Sequence, residues 1–141
     1  MGRKIVIKAI SNSPQGKDAS FKVEDEWVCL ANEGTTTEYM EHWILLNCKP
    51  DNKHYDHYYF PATVDGRRLE FAPGQLIFVI TGHGKDYFIK DPPDSPGQYH
   101  LYQQRDDFIW NQPGDRARLY SFSKEGEKEI YELVAQKEIV R

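Results

Sequence analysis

The chain contains 141 residues, of which 39% are hydrophobic and 28% charged, and it carries a formal net charge of −4. This length has room for one domain with one hydrophobic core, and we assign residues 1–141 to a single globular domain. The mild negative charge excludes a chain that is basic overall, as expected of many proteins that bind nucleic acid or an anionic membrane. Aromatic residues make up 13% of the chain, and such residues favour the half-buried surfaces of β-sheets.

Short runs rich in Val, Ile, Tyr, Phe and Trp follow one another along the chain and predict strands. In chain order they are Lys4–Ile10, Glu26–Asn32, Tyr39–Leu46, Tyr55–Phe60, Arg67–Phe71, Gln75–Thr81, Gln98–Tyr102, Asp107–Trp110, Ala117–Phe122 and Glu129–Val134. Turn-forming pairs separate them, and Asp65-Gly66 between two runs is typical of a tight hairpin. Only Glu125–Gln136 also fits a helical apolar stripe, and we assign a strand there. Regularly spaced short strands predict an all-β antiparallel sandwich or barrel.

Sequence signatures of catalysis are absent from the chain. Gly82-His83-Gly84 lacks the third glycine and the following helix of a dinucleotide or phosphate fingerprint. No Gly-x-Ser-x-Gly occurs, and no serine or cysteine lies in a local signature with a base. We therefore predict a protein without catalytic residues or cofactors. The long turn-rich segment 82–97 is nevertheless of the length that often has a function in compact domains.

The only dense group of metal-ligating residue types is His54-Tyr55-Asp56-His57. On a regular strand, two residues three positions apart point to opposite faces, so the histidines would not share a metal ion. On a turn they could, but zinc needs further ligands and none is near in sequence. We predict no metal site, and keep as an alternative a metal-dependent or hydrolytic site in segments 54–59 and 82–97.

Two further features bear on the environment of the protein. Cys29 and Cys48 are the only cysteines, and one pair at this spacing is neither a disulfide framework nor a metal motif. We therefore expect two free thiols. The apolar stretch near the N-terminus is too short for a secretory signal, and no stretch approaches the length of a membrane span. We expect no membrane association, and the compartment stays unassigned.

One pattern extends over most of the chain, about residues 22–133. It consists of Glu26–Asn32, Trp43, Leu69-Glu70-Phe71-Ala72-Pro73-Gly74-Gln75 at the entry to a strand, and Trp110-Asn111-Gln112-Pro113-Gly114-Asp115-Arg116-Ala117-Arg118-Leu119-Tyr120. This pattern resembles the lamin tail domain, a module of nuclear lamins and of many bacterial proteins. The resemblance implies an immunoglobulin-like antiparallel β-sandwich that acts as a non-catalytic binding module, with no catalytic residues to carry over.

The resemblance also implies which side chains face the core. It places Val28, Leu30, Ile77 and Val79 inward, and it turns alternate residues to the outside of the sheet. The residues it turns outward are Trp27, Cys29, Ala31, Leu76, Phe78 and Ile80. We also expect the large side chains of Trp43 and Trp110 to fill the core.

An outward row of Leu76, Phe78 and Ile80 is unusual on a soluble monomer and needs a cover. The aromatic segment Tyr55–Phe60 either folds over that row as a second small core or joins it in an interaction surface. We predict a surface for a protein partner or for self-association, formed by Tyr55, Tyr58, Tyr59, Phe60, Leu76, Phe78 and Ile80. Nucleic-acid binding is a further alternative, through a local basic patch of Arg67, Arg68, Lys85, Arg105, Arg116 and Arg118.

Overall fold

The computed structural model describes residues 2–12 and 22–140, and within them it contains strands and one short 3-10 helix, Val23–Asp25. The strands are β1 (Ile5–Ser11), β2 (Trp27–Asn32), β3 (Glu38–Tyr39), β4 (Ile44–Cys48), β5 (His54–Tyr59), β6 (Thr63–Val64), β7 (Arg67–Arg68), β8 (Glu70–Phe71), β9 (Leu76–Ile80), β10 (Tyr87–Ile89), β11 (Gln98–Tyr102), β12 (Arg116–Glu125) and β13 (Lys128–Glu138). No described helix is long and apolar enough to cross a membrane.

Two sheets form the body of the fold. One has five strands in the order β1-β2-β9-β11-β10, and the other has four in the order β13-β12-β4-β5. All ladders of these sheets are antiparallel except that between β9 and β11, which is parallel. The chain leaves β9 for the sheet edge at β10, and then returns between them as β11. The predicted all-β sandwich is thereby confirmed.

The core lies between the two sheets, because alternate residues of each strand point toward it. Val28, Leu30, Ile77 and Val79 are fully buried there, which confirms the phase that the resemblance implies. The remaining outer side chains of β2 and β9 lie on the opposite face of the sheet, as expected. The predicted burial of both tryptophans is confirmed, with Trp43 2% and Trp110 0% exposed.

Two predicted turns form as the sequence indicates. Asp65 and Gly66 connect β6 and β7 with φ of 54° and 82°, which is the double positive φ of a type I′ hairpin. The amide of Asp115 donates to the carbonyl oxygen of Gln112 at 3.2 Å, and Gly114 has a φ of 93°. This geometry fits the type II turn expected after Trp110.

Four predicted segments differ from the structure. Instead of one strand, Arg67–Phe71 contains β7, which pairs with β6, and β8, which pairs with β3. The run predicted as one strand, Tyr39–Leu46, is divided into β3 and β4, because His42 between them has a positive φ of 70°. The segment predicted as a strand, Asp107–Trp110, is a loop. The amides of Ile109 and Trp110 donate to the carboxylate of Glu26 instead of to a neighbouring strand. The predicted long loop 82–97 contains the edge strand β10.

The loop before Trp110 is attached to the five-stranded sheet by a buried carboxylate. Glu26 is 0% exposed, and its oxygens accept hydrogen bonds from the amides of Ile109 at 3.0 Å and Trp110 at 3.1 Å. The hydroxyl of Thr81 donates to the same carboxylate at 2.7 Å. Burial is the main cause that raises the pKa of Glu26 above its ordinary value. Glu26 therefore connects β2, the end of β9 and the loop that places Trp110 in the core.

Candidate functional site

The structure does not bring the predicted interaction residues together. Tyr55, Tyr58 and Tyr59 belong to β5 of the four-stranded sheet, with Phe60 directly after it, whereas Leu76, Phe78 and Ile80 belong to β9 of the five-stranded sheet. A joint surface of these residues therefore does not form, and Tyr55–Phe60 does not cover the β9 row as a second core either, because β5 pairs with β4 in the other sheet.

Three of the predicted residues are largely withdrawn from the surface. Phe60 belongs to the main core, and Tyr58 packs against that core with its ring 5.1 Å from the ring of Phe60. Burial also raises the pKa of Tyr58, since the charged phenolate is disfavoured there. Ile80 is only 5% exposed, although it points away from the core. By contrast, Tyr55 and Tyr59 are 44% and 57% exposed.

A β-bulge decides which β5 side chains reach the surface. Leu45 pairs with Tyr58 and Asn47 with Tyr55, so two β5 residues lie opposite Leu46 alone. Asp56, one of these two, has a φ of 56°. The extra residue reverses the alternation, as a bulge does. His54 and His57 therefore lie on the same face, with ring centroids 6.4 Å apart, and the regular-strand argument that separated them does not hold.

The outer surface of the four-stranded sheet carries a group of partly exposed apolar side chains, which we call the aromatic face. It consists of Tyr59, Tyr120, Phe122, Tyr131 and Leu133. Tyr120 is opposite both Leu133 and Ile44, and Ile44 is opposite Tyr59, so this row crosses all four strands. Phe122 and Tyr131 form the next row, with ring centroids 5.3 Å apart. Tyr131 and Leu133 are 42% and 46% exposed.

Buried neighbours hold part of the aromatic face in place. Ile44, Leu46 and Cys48 of β4 form a second small cluster of buried residues on the same side of the sheet, and Tyr120 packs against them. Arg118 donates from Nη1 to the hydroxyl of Tyr120 at 3.3 Å and from Nε to Gln136 at 3.0 Å. Arg118 is therefore held beside the aromatic face, where it adds a positive charge.

Histidines adjoin the aromatic face on two sides. The ring of His57 is stacked on that of Tyr59 at 6.2 Å, and the ring of His42 lies 5.2 Å from that of Phe122. The pKa of His54 is lowered by desolvation first, and then by the positive charge of Arg118 and by His57. The neutral form of His54 is therefore favoured beside the tyrosines.

The outer surface of the five-stranded sheet carries a second group of rings, which we call the aromatic row: Trp27, Phe78, His100 and Tyr87. Phe78 is in edge-to-face contact with Trp27 at 5.0 Å and is stacked on His100 at 5.1 Å, and His100 is stacked on Tyr87 at 4.6 Å. Tyr87 alone is more than one-third exposed, at 37%. Fewer side chains are therefore strongly exposed on this surface than on the aromatic face.

The titratable groups of the described residues lie apart from one another or in pairs. Among residues 2–12 and 22–140, no group of three or more His, Cys, Asp or Glu side chains is placed to hold a metal ion. Glu26 has a raised pKa but is enclosed, and its three donors belong to the chain itself. His83 forms an exposed pair with Asp106 at 2.6 Å, which raises the pKa of His83. No described hydroxyl or thiol side chain bonds to that histidine.

The basic residues considered for nucleic acid lie in separate places. Arg116 and Arg118 lie on the four-stranded sheet, and Arg105 lies near Asp56 at 3.7 Å. Lys85 is 3.8 Å from Asp65, beside the β6–β7 hairpin that carries the remaining two arginines. The described structure therefore does not gather these six side chains into one continuous patch.

Comparisons with known proteins add no family to this description. A scan against protein-family models finds none that matches the chain, and a search of curated proteins finds no match either. The resemblance to the lamin tail domain therefore stays a prediction, based on the residues quoted above.

Proposed function

We propose that the protein is a non-catalytic binding module of the lamin-tail type, and that it holds a protein partner, or a second copy of itself, on the aromatic face. The observation that carries the proposal is the exposure of Tyr59, Tyr131 and Leu133, which are 57%, 42% and 46% accessible on one sheet surface. Large apolar side chains grouped in this way are typical of interaction sites rather than of free surfaces.

The chemistry of these side chains supports a protein partner. Tyrosine combines a large apolar ring with a polar tip, and it loses little side-chain entropy on binding. The cluster of Ile44, Leu46 and Cys48, on the same side of the sheet, packs against Tyr120 and holds it in place before any partner binds. A surface organised in advance binds at a smaller entropic cost.

The experiment replaces Tyr59 and Tyr131 together by serine. Both side chains lie outside the core, so circular dichroism and thermal unfolding should remain close to those of the wild type. Sedimentation velocity over a range of concentrations measures self-association, and quantitative capture with cross-linking identifies a partner and its contact residues. We expect the double variant to lose the assembly, and cross-links of the wild type to include Lys124, which lies beside the aromatic face.

The matched control is Tyr87→Ser, which removes a partly exposed tyrosine from the aromatic row on the other sheet. It should leave the assembly unchanged. If Y87S abolishes the assembly while Y59S/Y131S retains it, the interaction surface is the aromatic row, and the proposal for the aromatic face is refuted.

A further inference from the structure

A cleft at the β6–β7 hairpin has features of a ligand site that neither aromatic surface explains. Its volume is about 700 Å³, within the range of small-molecule sites. The residues that carry the argument are Val64, Arg67, Arg68, Phe88, Lys90 and Tyr99, all of which line it. We call it the hairpin cleft.

Three cations line this cleft without carboxylate partners among the described residues. Arg67 and Lys90 make no hydrogen bond or ion pair there, and Arg68 places its guanidinium 4.1 Å from the ring centre of Tyr39. Two acidic residues, Asp65 and Glu70, also line the cleft. A carboxylate oxygen of Asp65 lies 3.8 Å from Nζ of Lys85, and the backbone carbonyl of Glu70 accepts a hydrogen bond from the hydroxyl of Tyr99. Positive charge thus exceeds negative charge in a cleft of a chain whose net charge is −4.

The walls of the cleft are fixed by the fold. The hydroxyl of Tyr99 donates to the carbonyl oxygen of Glu70 at 2.9 Å, and the ring of Tyr99 lies 4.7 Å from that of Phe88. The side chain of Gln75 accepts from the amide of Ala72 at 2.8 Å and donates to the carbonyl oxygen of Pro96 at 3.1 Å. Because these wall groups bond to one another, Arg67 and Lys90 are the cations free to meet a ligand, and Arg68 can meet it from its position over the ring of Tyr39.

Glycine is required at position 97, where the backbone passes close to the ring of Phe88. Gly97 has a φ of 102°, and a Cβ atom built on it would lie only 2.4 Å from the ring of Phe88. The close approach of this backbone keeps Phe88 between the core and the cleft, where it lines the cleft with Val64. The cleft therefore offers an apolar contact next to the cations.

We propose that the hairpin cleft binds a small ligand that carries a phosphate or carboxylate group, held by Arg67, Arg68 and Lys90, with its apolar part against Phe88 and Val64. The planar guanidinium of arginine can form bidentate hydrogen bonds with these oxyanions. Cations without carboxylate partners also make the electrostatic potential inside a concave site positive. This site is separate from the aromatic face, so it does not depend on the proposed function.

The test titrates the full chain with pyrophosphate and, separately, with citrate, and follows backbone amide signals by NMR. We expect saturable shifts concentrated at Arg67, Arg68, Phe88 and Lys90, with binding that weakens as sodium chloride rises from about 20 to about 200 mM. Saturation by pyrophosphate alone identifies a phosphate site, and saturation by citrate alone identifies a carboxylate site.

The decisive comparison uses two variants with the same change in charge. R67Q/K90Q should weaken binding by about tenfold or more, because it removes two charged donors. K128Q/K137Q, on exposed positions of β13, should bind as the wild type does. The proposal is overturned if neither probe saturates, if shifts spread evenly over the basic residues, or if both variants lose affinity equally.

Discussion

Replacing the buried Glu26 by alanine should destabilise the protein strongly. The variant leaves the amides of Ile109 and Trp110 without their acceptor, in an environment where Glu26 is 0% exposed. Each buried donor that loses its partner costs about 1–3 kcal/mol. Two such donors amount to about 2–6 kcal/mol, and removal of a buried charge offsets part of this, so we expect a loss of about 2–4 kcal/mol.

Urea unfolding followed by tryptophan fluorescence measures this loss, because Trp110 directly follows the attached loop. Thr81→Val is the matched control, since it removes one donor to Glu26 and keeps both amide bonds. It should cost about 1 kcal/mol. A loss below about 1 kcal/mol for E26A would refute the argument, because the two amides would then have found water or another acceptor.

The same carboxylate predicts a pH dependence with a definite sign. Its pKa in the folded protein is raised above the ordinary value of 4.5, mainly by burial, so folding favours the protonated form. The stability that it contributes is therefore fully present below pH 4.5 and is lost as pH rises through the folded pKa. The difference in unfolding free energy between wild type and Glu26→Gln should fall as pH rises over this window. A difference that stays constant would show that Glu26 does not titrate there.

Two further predictions concern the core and the thiols. Trp110→Ala should lower the unfolding free energy by about 3–5 kcal/mol, because it empties a fully buried site, and an unchanged urea midpoint would contradict this. Both cysteines are free and should be counted as two thiols in denaturant without reductant, where a count of zero would contradict the structure. In the native state Cys29 should react slowly with a disulfide reagent at mildly alkaline pH, because burial raises its pKa to about 11.

Features encoded by neighbouring residues could be predicted from the sequence. The predicted strand Gln98–Tyr102 has the bounds that the structure gives β11, and Asp65-Gly66 forms the expected hairpin turn. The choice of strand for Glu129–Val134 is confirmed, since β13 runs through it. In each case the alternation or the turn chemistry lies within a few residues, and no distant contact overrides it.

Features that depend on distant partners could not be predicted in this way. The loop at Asp107–Trp110 is set by hydrogen bonds to Glu26, which lies 83 and 84 positions earlier in the chain than Ile109 and Trp110. The pairing of β5 with β4 likewise follows from the arrangement of the sheets, which aromatic content does not reveal. Of the residues predicted for the interaction surface, only Tyr59 therefore belongs to the aromatic face.

The bulge at Asp56 shows how much one residue changes the surface that a partner meets. In a regular strand, His54 and Tyr58 would share a face with Asp56, and His57 would share the other face with Tyr55 and Tyr59. Tyr58 and Phe60 point to the core, so regular alternation would also turn His54 inward. The bulge instead lets His54, His57 and Tyr59 reach the outside while Tyr58 still packs inward. Because of the bulge, β5 has more outward-facing side chains than regular alternation would give it. These side chains continue the aromatic face to the edge of the sheet. A bulged edge also resists pairing with a further strand, so a partner is expected to meet the side chains of this face rather than the backbone of β5.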